Sequence, residues 1–293
     1  MAAGNPPLHP FYAAAVGGTV LYERDGAVAT LTLNRPERLN AIVPELIEDL
    51  EAALDRAEGD AEVRVIRLAG AGRAFCAGYD IEWGAEAMEE SEAGRPWDPM
   101  ADYRMMSRFV GAYMRLWRSP CPVIAQVHGF CVGGGTDLAL CSDLIVIAED
   151  ARLGYPPARV WGSPTTAMWI YRLGAERAKR LLLTGDALDG RRAVDWGLAS
   201  ECAPEAELDA AARQLAARVA QIPANQLTMM KLLVNQAYDQ MGLPVTQLVG
   251  TLLDGAARHT PEGEAFTRAA MQDVHAAVAE RDAPFGDYGQ ERR

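Results

Sequence analysis

The chain reads as an α/β protein in which short buried strands alternate with helices, followed by a helical C-terminal region. Three observations carry this reading. Val63 to Ala69, Val123 to Val127 and Leu144 to Ala148 are apolar runs too short for helices and flanked by polar residues or glycine, as expected of buried strands. Between them lie helix-length stretches, notably Tyr103 to Arg118, which would carry the chain across from one strand to the next by right-handed connections. From Ala167 onward the pattern turns helical.

In chain order, residues 1 to 18 are rich in Ala, Gly and Pro without periodicity and are expected to form a flexible tail. Val20 to Glu23 and Val28 to Leu33 flank Arg24-Asp25-Gly26, a hairpin signal with Asp-Gly at its tip. Pro44 opens a helix in which Leu46, Ile47, Leu50, Ala53, Leu54 and Ala57 recur at three- and four-residue steps, giving one apolar stripe. Ile81 to Asp102 holds Glu82, Glu86, Glu89, Glu90 and Glu92 together with Trp83, Met88, Trp97 and Met100. It reads either as a solvated acidic helix and loop or as a wall over a ligand pocket. Pro204 opens a segment that keeps helical spacing through Leu208, Ala211, Leu215, Val219 and Ile222, and Pro223 ends it. Three further helices are expected near 225–241, 243–258 and 262–279. The expected organisation is thus a tail at 1–18, a core at 19–203 and a helical region at 204–293.

Composition bounds the function. Of 293 residues, 49% are hydrophobic and 23% charged, which is ordinary for a globular protein. A net charge of −12 argues against nucleic acid or an anionic membrane as the main partner. Five cysteines form no CxxC pair and read as reduced thiols, so a cytoplasmic protein is expected. No apolar run approaches the ~20 residues that span a bilayer, and no metal-ligand spacing is present.

Two glycine-marked turns stand out: Phe75-Cys76-Ala77-Gly78-Tyr79-Asp80 and Val132-Gly133-Gly134-Gly135-Thr136-Asp137. Each follows a short β-like run and leads toward a helix start, where backbone N–H groups lack intrahelical partners. Two such donors aimed at one point would form an oxyanion hole, the device needed when a thioester carbonyl becomes an enolate. Asp137 follows three residues after the central glycine of the second turn.

The stretches Asn34-Arg35-Pro36-Glu37-Arg38-Leu39-Asn40-Ala41, Gly72 to Ile81, Pro122 to Asp143, Leu181-Leu182-Leu183-Thr184-Gly185, Ala193 to Leu198, Pro261 to Phe266 and Glu280 to Phe285 resemble the enoyl-CoA hydratase/isomerase (crotonase) superfamily, in order and over roughly residues 20–287. The resemblance implies a crotonase-like spiral of ββα units with a C-terminal helical trimerisation region, assembled as a homo-trimer or a dimer of trimers. It also implies an acyl-CoA thioester substrate, with coenzyme A entering as part of that substrate and no prosthetic group. The oxyanion hole then falls on the N–H groups of Tyr79 and Gly134. Losing one such donor typically costs about 3 kcal/mol of transition-state stabilisation. Arg38 reads either as the phosphate contact or as a solvated arginine, the backbone around Ala77 and Gly78 is expected to approach the adenine, and Ala41 is counted with these binding residues. Arg281, where the family often has lysine, is expected to reach a neighbouring subunit's ligand.

Asp137 matches the first of the two acids of a hydratase-like member, one methylene shorter than the usual glutamate. In a helix's first turn its ionised form is favoured by the dipole. It reads as the single acid/base, or as a helix-capping aspartate without chemistry. The second glutamate is replaced by Pro157, and Thr165 stands where some members carry aspartate. Asp80 is expected to bond local backbone, Tyr155 and Trp161 to form pocket wall, and His128 to tie down a turn. Arg159 is expected either to meet an acyl carboxylate or to form a surface salt bridge. Three functions stay open: an enzyme resembling enoyl-CoA hydratase, a crotonase-fold enzyme with other chemistry (thioester hydrolysis, isomerisation, or cleavage of a ring or aromatic acyl-CoA), and a noncatalytic acyl-CoA-binding homologue.

Overall fold

A computed structural model describes residues 18–84 and 97–286. Apart from Gly18, the expected tail lies outside the described residues, as do Glu86, Met88, Glu89, Glu90 and Glu92 of the acidic segment.

Strands β1 (Val20–Asp25) and β2 (Val28–Leu33) pair antiparallel around a two-residue loop. The tip is one residue further on than the sequence suggested. Asp25 pairs with Val28 inside the ladder, and Gly26, at φ +56°, takes the left-handed position of the turn. Helix α1 (Pro44–Gly59) buries the six residues of its expected stripe against the sheet and returns the chain to β3 (Val65–Gly70), parallel to β2. Helix α2 (Pro99–Arg118), capped by Asp98, leads in the same manner to β4 (Val123–Val127). Strands β6 (Leu144–Ala148) and β9 (Glu201–Ala203) complete a six-stranded sheet of order β1-β2-β3-β4-β6-β9.

Short strands missed as separate elements build a second sheet. These are β5 (Phe130–Val132), β7 (Arg152–Gly154) and β8 (Ala187–Leu188), in the order β5-β7-β8. At two or three residues each they are too short for periodicity to register. After β3, Cys76 pairs with Cys131 of β5: the Cys76 N–H donates to Phe130 O (3.0 Å) and the Val132 N–H donates to Cys76 O (3.1 Å). The strand–strand–helix rhythm recurs in β4-β5-α3, where α3 is Gly134–Cys141.

Helices α4 (Met168–Leu182) and α5 (Gly190–Asp195) follow. Then come α6 (Glu205–Val219), α7 (Ala224–Gln240), α8 (Leu243–Arg258), α9 (Pro261–Gln272) and α10 (Val274–Asp282). The single helix expected at 262–279 is broken at Asp273. That residue leaves helical geometry (φ −156°, ψ 101°), and its side chain accepts the Ala276 N–H at 3.0 Å as an N-cap. Helix α8 packs on α2, which brings the helical region against the core. Among the described residues no helix is long and apolar enough to cross a membrane.

Candidate active site

The pairing of Cys76 with β5 lays the two glycine turns side by side. Gly78 sits at φ +92°, and a Cβ there would come within 2.9 Å of Val132 O and 3.3 Å of Gly134 N. Only glycine permits both that backbone conformation and that approach. Around Tyr79 the chain makes an isolated parallel bridge to Ile42: Gly78 O accepts the Ile42 N–H (2.7 Å) and Asp80 N–H donates to Ile42 O (3.0 Å). Because alternate backbone groups of an extended chain point to opposite sides, the Tyr79 N–H is turned away from Ile42. Gly134 is the first residue of α3, where an N–H has no intrahelical acceptor. Neither N–H has a hydrogen-bond partner among the described residues.

Both turns face a cavity of about 640 Å³. Its wall includes Leu39, Ala77, Gly78, Tyr79, Gly133, Gly134, Pro157 and Trp161, with Met105 and Met106 from α2 and Val274 and Val278 from α10. The described ends of the acidic segment, Ile81, Trp83, Trp97 and Asp102 among them, also line it, so the wall reading holds for those residues. Trp161 packs on Phe266 with ring centroids 5.2 Å apart, and Tyr155 lines the cavity with its hydroxyl donating to Ser163 O (2.8 Å).

Asp137 lies in the first turn of α3 but is fully buried behind this wall and is not among the lining residues. It does not cap its helix, whose N-cap is Gly133. Instead its Oδ1 accepts from the Thr166 hydroxyl and from the Thr166 N–H (3.4 Å), while Oδ2 is buried without a partner. The dipole argument gives way to burial. Desolvation pushes the carboxyl up to about 7 against the pull of the Thr166 hydrogen bonds, with the Asp254 charge adding to the rise.

A charged cluster that the sequence reading missed does reach the cavity. Arg258 of α8 is clamped between Asp254, one turn back on the same helix, and Asp102 of α2; all three line the cavity. Asp254 Oδ1 also accepts the Ser163 N–H at 3.2 Å. The only available signal was the i, i+4 spacing of Asp254 and Arg258, which on most helices marks an exposed ion pair.

Of the coenzyme candidates, Ala77, Gly78 and Arg281 line the cavity, and Arg38 and Ala41 do not. The Ala41 carbonyl accepts from the Arg35 guanidinium, which also donates to Asp80 (3.2 Å). The Arg38 guanidinium bonds Asp80 (3.1 Å) and Glu82 (2.5 Å) and remains 40% exposed. Arg281 is held by Asp282 through two bonds of 2.8 and 2.7 Å and lies against this chain's own cavity. Asp80, expected to bond backbone, accepts from Trp83 N (3.4 Å) but serves chiefly the two arginines. Burial opposes its ionisation, and Arg38 and Arg35 outweigh it, holding the carboxyl below its usual value.

Arg159 matches neither expectation, because its side chain is buried against Asp282 (2.9 Å), which lines the cavity, and Thr184 O (2.9 Å), and itself reaches neither the lining nor solvent. His128 Nε2 bonds Gly72 O at 2.8 Å and so ties down its turn. Among the described residues no group of three or more His, Cys, Asp or Glu is placed to hold a metal ion.

A sequence profile of the enoyl-CoA hydratase/isomerase family matches residues 23–266. The crystal structure of an enoyl-CoA hydratase from Mycobacterium smegmatis superposes with a TM-score of 0.88 at 46% identity, covering 92% of this chain and 95% of that one. An enoyl-CoA hydratase/isomerase from Xanthobacter autotrophicus Py2 gives a TM-score of 0.85 at 32% identity, covering 92% and 99%. The 1,2-epoxyphenylacetyl-CoA isomerase of Escherichia coli is 34% identical over 229 residues, 74% of this chain and 82% of that protein. With the paired glycine turns on the same α/β frame, these matches show that the chain belongs to the enoyl-CoA hydratase/isomerase family and is an acyl-CoA-processing enzyme of crotonase fold.

Proposed function

We propose that the protein hydrates a double bond conjugated to a coenzyme A thioester. The observation that carries the reading is the pair of unpartnered N–H groups, Tyr79 and Gly134, on abutting turns at the cavity wall. Acting together on the thioester oxygen, they would stabilise the charge that gathers there as the enolate forms, each worth about 3 kcal/mol. The donors are backbone groups, so the Tyr79 side chain is free to shape the pocket; its hydroxyl bonds that of Tyr113 at 2.9 Å.

We assign the acid to Asp137, whose carboxyl does not line the cavity, so the assignment requires the wall at Gly134 to open to it when the acyl group binds. A carboxyl at about 7 keeps much of its proton at neutral pH, which an ordinary aspartate does not. Ala77 and Gly78 would flank the coenzyme where it enters, tied to the chain on either side of Ala41 by the Ala77 N–H donating to Leu39 O (2.9 Å) and the Ile42 N–H donating to Gly78 O (2.7 Å). Arg38 would offer the exposed face of its guanidinium to a phosphate, and Arg281 a second cation at the cavity edge. Five unpaired cysteines support placing the protein in a reducing cytoplasm.

The test is loss of enoyl-thioester ultraviolet absorbance across a panel of 2-enoyl-CoAs of differing chain length. We expect turnover in the parent and a fall in kcat of about 100-fold or more in Asp137→Asn. Because Asp137 acts as an acid, parent activity should decline as pH rises through about 7. An Asp137→Asn variant as fast as the parent would remove Asp137 from the chemistry.

A further inference from the structure

Hydration needs a base to take a proton from water as well as an acid to give one to the α-carbon. Proline at 157 removes one carboxylate from this cavity. We infer that Asp254, delivered by α8, is the second catalytic carboxylate and takes the proton from the attacking water. The inference rests on the acyl-CoA reading above and adds the group that reading lacks.

A short run of contacts links Asp254 to Pro157 through Gly162 and Ser163, along the same cavity wall. The Cβ position of Gly133 is 3.4 Å from Pro157 Cγ, and that of Gly162 is 2.6 Å from Pro157 Cβ. The next N–H after Gly162, that of Ser163, donates to Asp254 Oδ1 at 3.2 Å. Gly134, Pro157, Gly162 and Asp254 all belong to the cavity wall, whereas Asp137 is buried behind it. The carboxylate is fixed at both ends, by Ser163 on Oδ1 and by Arg258 on Oδ2, and the Tyr155 hydroxyl holds the Ser163 carbonyl at 2.8 Å. Each carboxylate oxygen has two lone pairs, so both bonds leave room to accept from water.

The charges and titratable groups around Asp254 are Arg258 on its own helix, Asp102 of α2, Asp137 of α3 and the phenols of Tyr79 and Tyr155. Burial pushes its carboxyl above the usual range, Arg258 opposes this, and Asp102 reinforces it. A carboxylate of raised basicity suits proton abstraction better than an exposed aspartate does.

In the step, water's oxygen bonds to the β-carbon while one of its protons passes to Asp254. The π pair moves through the α-carbon onto the thioester oxygen held by Tyr79 and Gly134. The enolate then collapses as the α-carbon takes a proton from Asp137; Asp254 gives up its proton to bulk water and Asp137 regains one from it. The net change is addition of one water, with both side chains restored.

The experiment compares parent, Asp254→Asn and Asp254→Glu on a 2-enoyl-CoA that the parent hydrates, with circular dichroism and binding of the saturated acyl-CoA as controls. We expect Asp254→Asn to lose about 100-fold or more in kcat while it binds the saturated thioester within threefold of the parent. The rise of kcat/KM with pH on the acid side should vanish in Asp254→Asn and reappear, shifted, in Asp254→Glu. Should the asparagine variant fail to fold, a glutamate variant with unchanged rate and unchanged acid limb overturns the assignment. If Asp254→Asn stays within threefold of the parent while Asp137→Asn is inactive, the inference falls and the hydratase reading stands. If the parent binds saturated acyl-CoA yet hydrates no enoyl-CoA, the hydratase reading falls and takes this role of Asp254 with it.

Discussion

Asp137 shows how two forces of opposite sign compete for one proton. Its place in the first turn of α3 favours the anion by a fraction of a kcal/mol to about 2 kcal/mol. Complete burial with one oxygen unpartnered opposes ionisation more strongly and pushes the carboxyl from 3.8 up to about 7. The linkage consequence has a definite sign. Between those two values the folded protein holds more proton than the unfolded chain, so stability falls as pH rises from about 4 through about 7. Asparagine carries no charge at any pH and is free of this penalty. The stability of Asp137→Asn relative to the parent should therefore improve from pH 5 to pH 8, by up to a few kcal/mol. Urea unfolding at the two pH values measures it; an equal difference at both would mean that Asp137 is ionised as readily in the fold as outside it.

At the scale of elements, the two turns form one unit because glycine lets their backbones meet. A Cβ at Gly135 would overlap the Cys76 carbonyl oxygen and stand 3.0 Å from Cys76 Cβ, in the same pairing that registers the first turn on the second. Gly135→Ala should force Cys76 and β5 apart, lower the stability by about 1–3 kcal/mol and depress kcat at least tenfold, since both N–H donors shift. Gly59→Ala is the control: nothing lies within 4 Å of its Cβ position near the end of α1, and its melting temperature should stay close to that of the parent. A Gly135→Ala enzyme with parental kcat would separate the turns from the chemistry.

The long elements behind this unit were legible in the sequence because apolar spacing alone defines them. The six buried positions of α1 and the limits of β4 and β6 match the apolar pattern residue for residue. The three-residue strands β5 and β7 were not legible, nor was the cavity role of Asp254 and Arg258. Tertiary packing of α8 on α2 makes an inner wall of residues whose local pattern resembles an exposed ion pair. Thr166 as the partner of Asp137 was equally hidden, since 29 residues separate the two along the chain.

For the whole molecule, α7 carries its polarity inverted, which bears on assembly. The residues it buries are Lys231 and Asn235. The Lys231 ammonium donates to Leu116 O (2.9 Å) and Cys121 O (3.1 Å) and pairs with Asp143 (2.7 Å), and the Asn235 amide donates to Trp117 O (2.6 Å). The apolar residues face outward: Leu232 is 63% exposed and Leu233 66%, and on α8 Val245 is 66% and Leu253 55% exposed. Single exposed leucines need no explanation, but neighbouring helices that both turn apolar faces outward mark a surface meant to be covered. A cover by further copies of this chain agrees with the trimer or dimer of trimers that the sequence resemblance implies, and a closed ring buries such a face on every subunit at once. Light scattering on the purified protein should give three or six times the mass of one chain. Leu233→Glu combined with Leu253→Glu should shift it to the single-chain mass, because each buried carboxylate would face an apolar partner without a counter-charge. A parent that remains a single chain at tens of micromolar would refute self-assembly through α7 and α8.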